Sequence, residues 1–193
     1  MNARERNDLL ISWITISIAF AWVFGRQGLN IGRFLTVFPM ALVAVGTGFI
    51  LHELAHKYTA IHFGARAEYR AWMQGLVFAL LTSLVGFVFA APGATYIFGG
   101  HINAKKNALI SLAGPATNIV LGLAFVGIAV AMGPYNAFRE TAGLTASVNL
   151  FLALFNMIPV FPLDGSKVFA WNKGVWAIVF VPLLVMWLSG LMF

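Results

Sequence analysis

The chain contains no cysteine, which excludes disulfide staples and thiolate metal sites at the outset. Charge is scarce as well: Asp, Glu, Lys and Arg make up 9% of the 193 residues, too little to solvate a soluble domain of this size. Acidic residues are fewest, six against twelve Lys and Arg, and no internal repeat or low-complexity tract is present. Apolar residues fill the space, at 61% of the chain with a mean hydropathy of +0.88. They recur in runs of roughly 20, the length needed to cross a bilayer as a helix. The expected class is therefore an all-α polytopic membrane protein, a single integral domain over residues 1–193 with lipid as a permanent partner. The net charge of +6 sits on residues that flank the runs, and calls for no nucleic-acid partner.

The runs cover about Leu9–Phe24, Phe34–Ala60, Leu76–Ala91, Ala108–Met132, Leu144–Ile158 and Val175–Phe193. Arg4, Glu5, Arg6 and Asp8 precede the first run and no A-x-A-like cleavage site follows it, so it reads as a retained span. If all six runs cross, the twelve basic residues divide evenly between the two faces, against the positive-inside tendency. If Leu76–Ala91 instead enters the membrane and returns, Arg4, Arg6, Lys57, Arg66, Arg70, Lys105, Lys106, Lys167 and Lys173 share one face. Only Arg26, Arg33 and Arg139 then remain opposite. The break Ala91-Pro92-Gly93-Ala94 suits the return, because non-helical backbone is tolerated at membrane depth where protein buries it. Five crossings plus one re-entrant segment are expected, with six full spans as the alternative and the N-terminus cytoplasmic.

In such a background an ionisable residue at bilayer depth needs a partner or a function. Glu53 lies inside the second run, within His52-Glu53-Leu54-Ala55-His56. Histidines at i and i+4 share one face of a helix and can ligate one zinc ion, with the glutamate between them placed to act on a metal-bound water. From Arg33 to His52 the helix rises about 28 Å, which puts the motif inside the membrane near its cytoplasmic edge. Ala41, Ala44 and Gly48 precede His52 on the same stripe, so this face can approach its neighbours closely.

A catalytic zinc requires a third protein ligand and an open position. His62 stands at the spacing of a longer histidine pattern, but Thr59 replaces the glycine that would turn the chain back, and a continuous helix carries His62 about 120° away from His56. His101 lies in a Gly-rich loop. Asp164 is the stronger candidate: Pro159 and Pro162 must break the fifth run just before it, and the topology brings it out at the level of His52 and His56.

The His52-Glu53-x-x-His56 helix, the later Gly114-Pro115-Ala116-Thr117-Asn118 and the Asn156-x-x-Pro159 stretch ending in Leu163-Asp164-Gly165 together resemble the site-2 protease family of intramembrane zinc metalloproteases. The resemblance covers roughly residues 35–170. Ala55 stands where many members carry glycine, and no PDZ or CBS module is inserted. The resemblance implies one zinc ion on His52, His56 and Asp164, Glu53 as general base, and Asn156 as an active-site polar residue. It also implies a re-entrant element between the first two core spans. The substrate would be a transmembrane segment of another membrane protein, the setting a prokaryotic cell membrane, and the active site would face the cytoplasm.

For the oxyanion that peptide hydrolysis creates, Asn156 is the first candidate donor and Asn118 the second, the latter on a small and polar stripe with Ser111 and Gly114. Asn149, seven residues before Asn156 on the same helical face, reads as structural. A substrate helix must unwind before a peptide bond is accessible, and the strand-favouring segments Ala67–Trp72 and Ala94–Phe98 could hold it open as a sheet edge. Two other functions would use the same residues: a metal-binding transporter, and an inactive relative that binds membrane segments without cutting them. The central glutamate speaks against the first, the complete motif against the second.

Overall fold

The computed structural model describes residues 1–25, 31–89, 91–133, 136 and 138–191. Arg26, counted above on the outer face, and the end of the last apolar run lie outside the described residues. The chain begins with α1 (Ala3–Gly25), then α2 (Ile31–Val45), which passes through a π-helical turn (Gly46–Ile50) into α3 (Leu51–His62). A strand β1 (Arg66–Ala71), helix α4 (Met73–Leu84) and strand β2 (Gly93–Phe98) follow. The long α5 (Ala104–Met132), α6 (Arg139–Asn156), the short α7 (Asp164–Trp171) and α8 (Lys173–Leu188) complete the order.

Among the described residues three helical stretches are long and apolar enough to cross a membrane: Ala3–Gly25, Ile31–His62 and Ala104–Met132. Their outward faces are apolar, with Leu35, Val120 and Val130 at least 63% exposed, while Ser12, Ser17, Asn118, Thr145 and Asn149 are buried. That inverted distribution is what a lipid solvent selects, since polar side chains there must find partners inside the protein. The chain is a helical membrane protein.

The expectation of an all-α fold is corrected by the sheet. β1 and β2 pair antiparallel, Arg66 opposite Phe98, Tyr69 opposite Thr95 and Ala71 opposite Gly93. The pairing reaches one step further, with Trp72 N–H donating to Pro92 O at 2.8 Å. Both strands fall where the aromatic segments were expected to be extended. Between them α4 has 12 residues and spans about 18 Å, short of the roughly 30 Å hydrocarbon core. The segment from Trp72 to Pro92 therefore leaves and returns at one end of one sheet. Gly75 lets it fold back tightly: a Cβ there would lie 2.0 Å from the Ala91 carbonyl oxygen.

The wide turn before the His-Glu-x-x-His motif has its own support. Opening the helix by one residue at Gly46–Ile50 exposes a carbonyl of the preceding turn, and Trp13 of α1 donates its indole N–H to Leu42 O at 2.9 Å. A Cβ on Gly46 would stand 3.0 Å from that indole nitrogen. The turn sits immediately upstream of His52 and rotates the motif relative to α2. The core against which it packs is formed by α1, α2 and α6, with Ile16, Phe20, Ala44, Val45, Phe49 and Val148 all buried.

Two charged residues occupy places the sequence reading did not give them. Lys57, counted there among the loop cations, lies within α3 and is buried. Its ammonium meets both carboxylate oxygens of Glu5 at 2.6 Å, and Glu5, read as part of a terminal segment, is 1% exposed. Glu5 also accepts the Tyr69 N–H at 3.2 Å, so one carboxylate ties the start of α1 to α3 and β1. Removing one partner of a buried pair strands the other charge, which costs about 3–5 kcal/mol, while replacing both with apolar groups costs far less. Glu5→Ala should therefore lower the thermal unfolding temperature in detergent markedly, and the Glu5→Met/Lys57→Met double variant should recover most of the loss.

Candidate metal centre

The two histidines meet the distant aspartate. His52 and His56 project from one face of α3 with their Nε2 atoms 2.9 Å apart. Asp164 Oδ2 lies 3.4 Å from the first and 3.1 Å from the second. All three side chains are nearly buried.

The Asp164 carboxylate arrives by way of a broken segment. α6 stops at Asn156, the chain turns through Pro159 and Pro162, and α7 begins at Asp164 itself. Gly165 permits the return, since a Cβ there would fall 2.1 Å from the Met157 carbonyl oxygen. Trp176 of α8 donates its indole N–H to the same Met157 oxygen at 2.8 Å, securing the end of α6 from the other side.

The hydrogen bonds behind the imidazoles decide their tautomers. His56 Nδ1 lies 2.7 Å from the Ile110 carbonyl oxygen, which can only accept, so Nδ1 carries a proton and the neutral ring presents its Nε2 lone pair to a metal. His52 Nδ1 lies 2.5 Å from Asn118 Oδ1. The amide of Asn118 is oriented by its nitrogen, which donates to Gly48 O at 2.9 Å and to Asn149 Oδ1 at 3.0 Å. Asn149 is oriented in turn by donating to Thr145 O at 2.8 Å and to Thr47 Oγ1 at 3.3 Å. The neutral His52 ring then presents its Nε2 lone pair in the same way.

Two imidazole nitrogens and a carboxylate oxygen converge on one point in a buried setting, a donor set that fits a cation between them. Tetrahedral zinc with ligands at 2.0–2.1 Å separates them by roughly 3.3 Å, close to the spacing found. A further feature fits the ion. Gly114 of α5 faces the same point, where a Cβ would lie 2.5 Å from His56 Nε2 and 2.6 Å from His52 Nε2. Any side chain at 114 would occupy the space the metal needs. Partners on the far side of metal-bound histidines, here Asn118 and the Ile110 carbonyl, are a regular part of such sites.

A cavity of about 380 Å³ opens beside the triad. Glu53, Thr95, Asn107, Ser111, Asn156 and Lys167 contribute polar groups to its wall, among apolar neighbours from α1, β2, α5 and α6. Glu53 is fixed by a residue that the motifs did not single out: Thr95 of β2 donates its hydroxyl to Oε2 at 2.8 Å. Asn156 donates to Leu152 O at 2.9 Å and borders the cavity. Asn118 is fully buried with both amide hydrogens and its oxygen engaged, and stands behind His52. Lys167 lies 3.4 Å from Asp164 Oδ1, the oxygen turned away from the histidines. His62 and His101 are exposed and apart from the centre, His62 against the Phe63 ring and His101 in the bend before α5.

No family model matches the chain, and no solved structure matches it. Among known proteins, Putative zinc metalloprotease MJ0611 of Methanocaldococcus jannaschii is 42% identical over 182 residues, 94% of this chain and 91% of that protein. The chain belongs to the site-2 protease-like family of zinc metalloproteases. Two bacterial members under the same printed description are YwhC of Bacillus subtilis, 29% identical over 69% of each chain, and Rip3 of Mycobacterium tuberculosis. Rip3 is 31% identical over 64% of this chain and 29% of its own length. For this archaeal and bacterial family the metal is zinc, and His52, His56 and Asp164 form the one group of three such ligands within reach of one another among the described residues.

The site makes two predictions about metal content. Gly114→Ala should abolish stoichiometric zinc in the purified protein while leaving helical content intact. Asn118→Leu should leave His52 free to turn, and weaken zinc affinity about 10- to 100-fold in competition with a chelator.

Proposed function

We propose that this protein is an intramembrane endopeptidase, which hydrolyses a peptide bond within or near a transmembrane segment of another membrane protein. The observation that carries the reading is the position of Glu53, a carboxylate on the wall of a cavity shared with the His52, His56 and Asp164 ligands, on a helix long and apolar enough to cross a bilayer. A transporter site needs no base at that point. An inactive binding relative would lack one member of this set.

Zinc held by His52, His56 and Asp164 would supply a Lewis acid and lower the pKa of a water at its open position. Glu53, the carboxylate on the cavity wall, is the residue that would accept a proton from the attacking water and hand it to the leaving amine. Asn156, rather than Asn118, is the donor for the oxygen on which charge develops, because Asn156 borders the cavity and Asn118 has no amide hydrogen to give. Asn118 and Ile110 O keep the two imidazoles in the tautomer that ligates.

The membrane arrangement supported best is that of five crossings and a hairpin from β1 to β2. Its two strands pair, its helix is too short to cross, and its ends lie together. With Lys57 neutralised by Glu5 and removed from the count, the basic residues still stand eight against three in favour of a cytoplasmic N-terminus and active site. β2 borders the cavity, and its free edge is the element on which an unwound substrate segment could be held in extended form.

A fluorophore–quencher peptide built on one apolar membrane-spanning segment, with a central glycine pair to ease unwinding, tests the reading in lipid nanodiscs. Wild type should cleave it with one zinc per chain. Glu53→Gln should keep the zinc and lose about 10²–10⁴ in rate. Cleavage undiminished in Glu53→Gln would remove the glutamate from the chemistry. Tyr96→Pro, which strikes the β2 backbone away from the ligands, should lower kcat/KM roughly tenfold with zinc retained if the strand receives the substrate.

A further inference from the structure

Glu53 is a three-torsion side chain on the rim of an open cavity, and such a carboxylate has no reason of its own to stay in one place. Thr95 gives it one. The Thr95 hydroxyl donates to Glu53 Oε2 at 2.8 Å and stands 3.4 Å from the Glu53 carbonyl oxygen, so it reaches the residue from the sheet and not from the helix that carries it. Resting on the reading of Glu53 as the base, we propose that Thr95 is a positioning residue for it: the hydroxyl holds Oε2 and leaves Oε1 as the oxygen that accepts the proton from water.

Three features of the structure make this more than a hydroxyl finding its nearest acceptor. Along β2 the exposure alternates, with Thr95 and Ile97 turned toward the protein and Ala94, Tyr96 and Phe98 outward. An inward β-branched position on a strand is served equally well by valine as far as packing goes, so the hydroxyl is the atom to explain. Thr95 is also held rigidly. It pairs with Tyr69, which is 1% exposed and whose own hydroxyl shares a 2.9 Å hydrogen bond with Ser12 of α1. Gly93, two residues before Thr95, sits against that tyrosine so closely that a Cβ would lie 2.5 Å from its hydroxyl oxygen. The strand is thus registered on α1, and the donor it offers to Glu53 has a fixed origin. Third, the bond divides the carboxylate. One oxygen is engaged and the other is free, the condition a general base needs if it is to meet the same water in every turnover. In that step the water O–H bond breaks and the Glu53 Oε1–H bond forms, while Thr95 keeps its proton throughout.

The test has one arm that does not depend on catalysis. In metal-free full-length protein, thermal unfolding of wild type, Thr95→Val, Glu53→Ala and the double variant forms a cycle. The two substitutions should be non-additive, because each removes the same hydrogen bond; additive shifts would overturn the proposal. The second arm uses zinc-loaded protein and the quenched membrane-spanning peptide. Thr95→Val should lower kcat about 10- to 100-fold with KM within about twofold and zinc content unchanged, since a misplaced base affects the step and not the binding. Thr95→Ser, which restores the donor, should recover most of kcat. Full kcat in Thr95→Val, or a Thr95→Ser variant as slow as Thr95→Val, would overturn the proposal while wild-type cleavage and its loss in Glu53→Gln leave the protease reading standing. A zinc-loaded wild type that leaves the peptide uncut would overturn the protease reading, and this proposal with it.

Discussion

Two imidazole nitrogens 2.9 Å apart, with a carboxylate oxygen 3.1 and 3.4 Å away, form a buried donor set that fits a metal cation. Much of the fold follows from making that convergence possible. The lone pairs exist because Asn118 and the Ile110 carbonyl take the Nδ1 protons. The space between them exists because position 114 has no side chain. The carboxylate arrives because α6 is broken by two prolines and Gly165 lets α7 begin against the end of α6. Each of these is a local sequence choice with little value to a bundle that binds nothing.

The polar groups behind His52 form a continuous line: Thr47, Asn149, Asn118, then the imidazole. In water such a line would compete with solvent and contribute little. With Asn118 and Asn149 fully buried, water does not compete, and every donor that points along the line is matched by an acceptor. The line also crosses three helices, since Thr47 belongs to the π turn, Asn149 to α6 and Asn118 to α5. The orientation of a metal ligand is in this way a property of how the helices pack, and packing around the site and metal affinity are coupled through Asn118.

The helices and the ligand set were legible in the sequence because each rests on a pattern with its own period or spacing. Histidines at i and i+4 identify a helix face, apolar runs identify spans, and a carboxylate just after a proline-broken apolar run requires an explanation. What escaped was side-chain direction and long-range pairing. Asn118 has the composition of an oxyanion donor, and only the positions of Gly48 O and Asn149 reveal that its hydrogens are already used. Glu5 reads as a residue of a polar terminus and Lys57 as a loop cation, yet 52 positions apart they neutralise each other in the interior. Thr95 is an ordinary strand residue until β1–β2 pairing and the position of α3 bring its hydroxyl to Glu53. The wide turn at Gly46–Ile50 left only its glycines as a trace.

The Glu5–Lys57 pair also bears on topology. A charge that is paired in the interior carries no information about which side of the membrane a loop occupies, so Lys57 has to leave the positive-inside count. The same pair supplies better information of another kind. Through Glu5 it binds the beginning of α1 to α3 one residue beyond His56, and through the Tyr69 N–H it binds both to the sheet. The start of α1, the part of α3 just beyond His56 and the β1–β2 pair are thereby tied to one another. Under the proposed five-crossing arrangement these elements share a side with eight basic residues, seven of them next to these elements or to the start of α5 and α7, and the positive-inside tendency would then set the orientation.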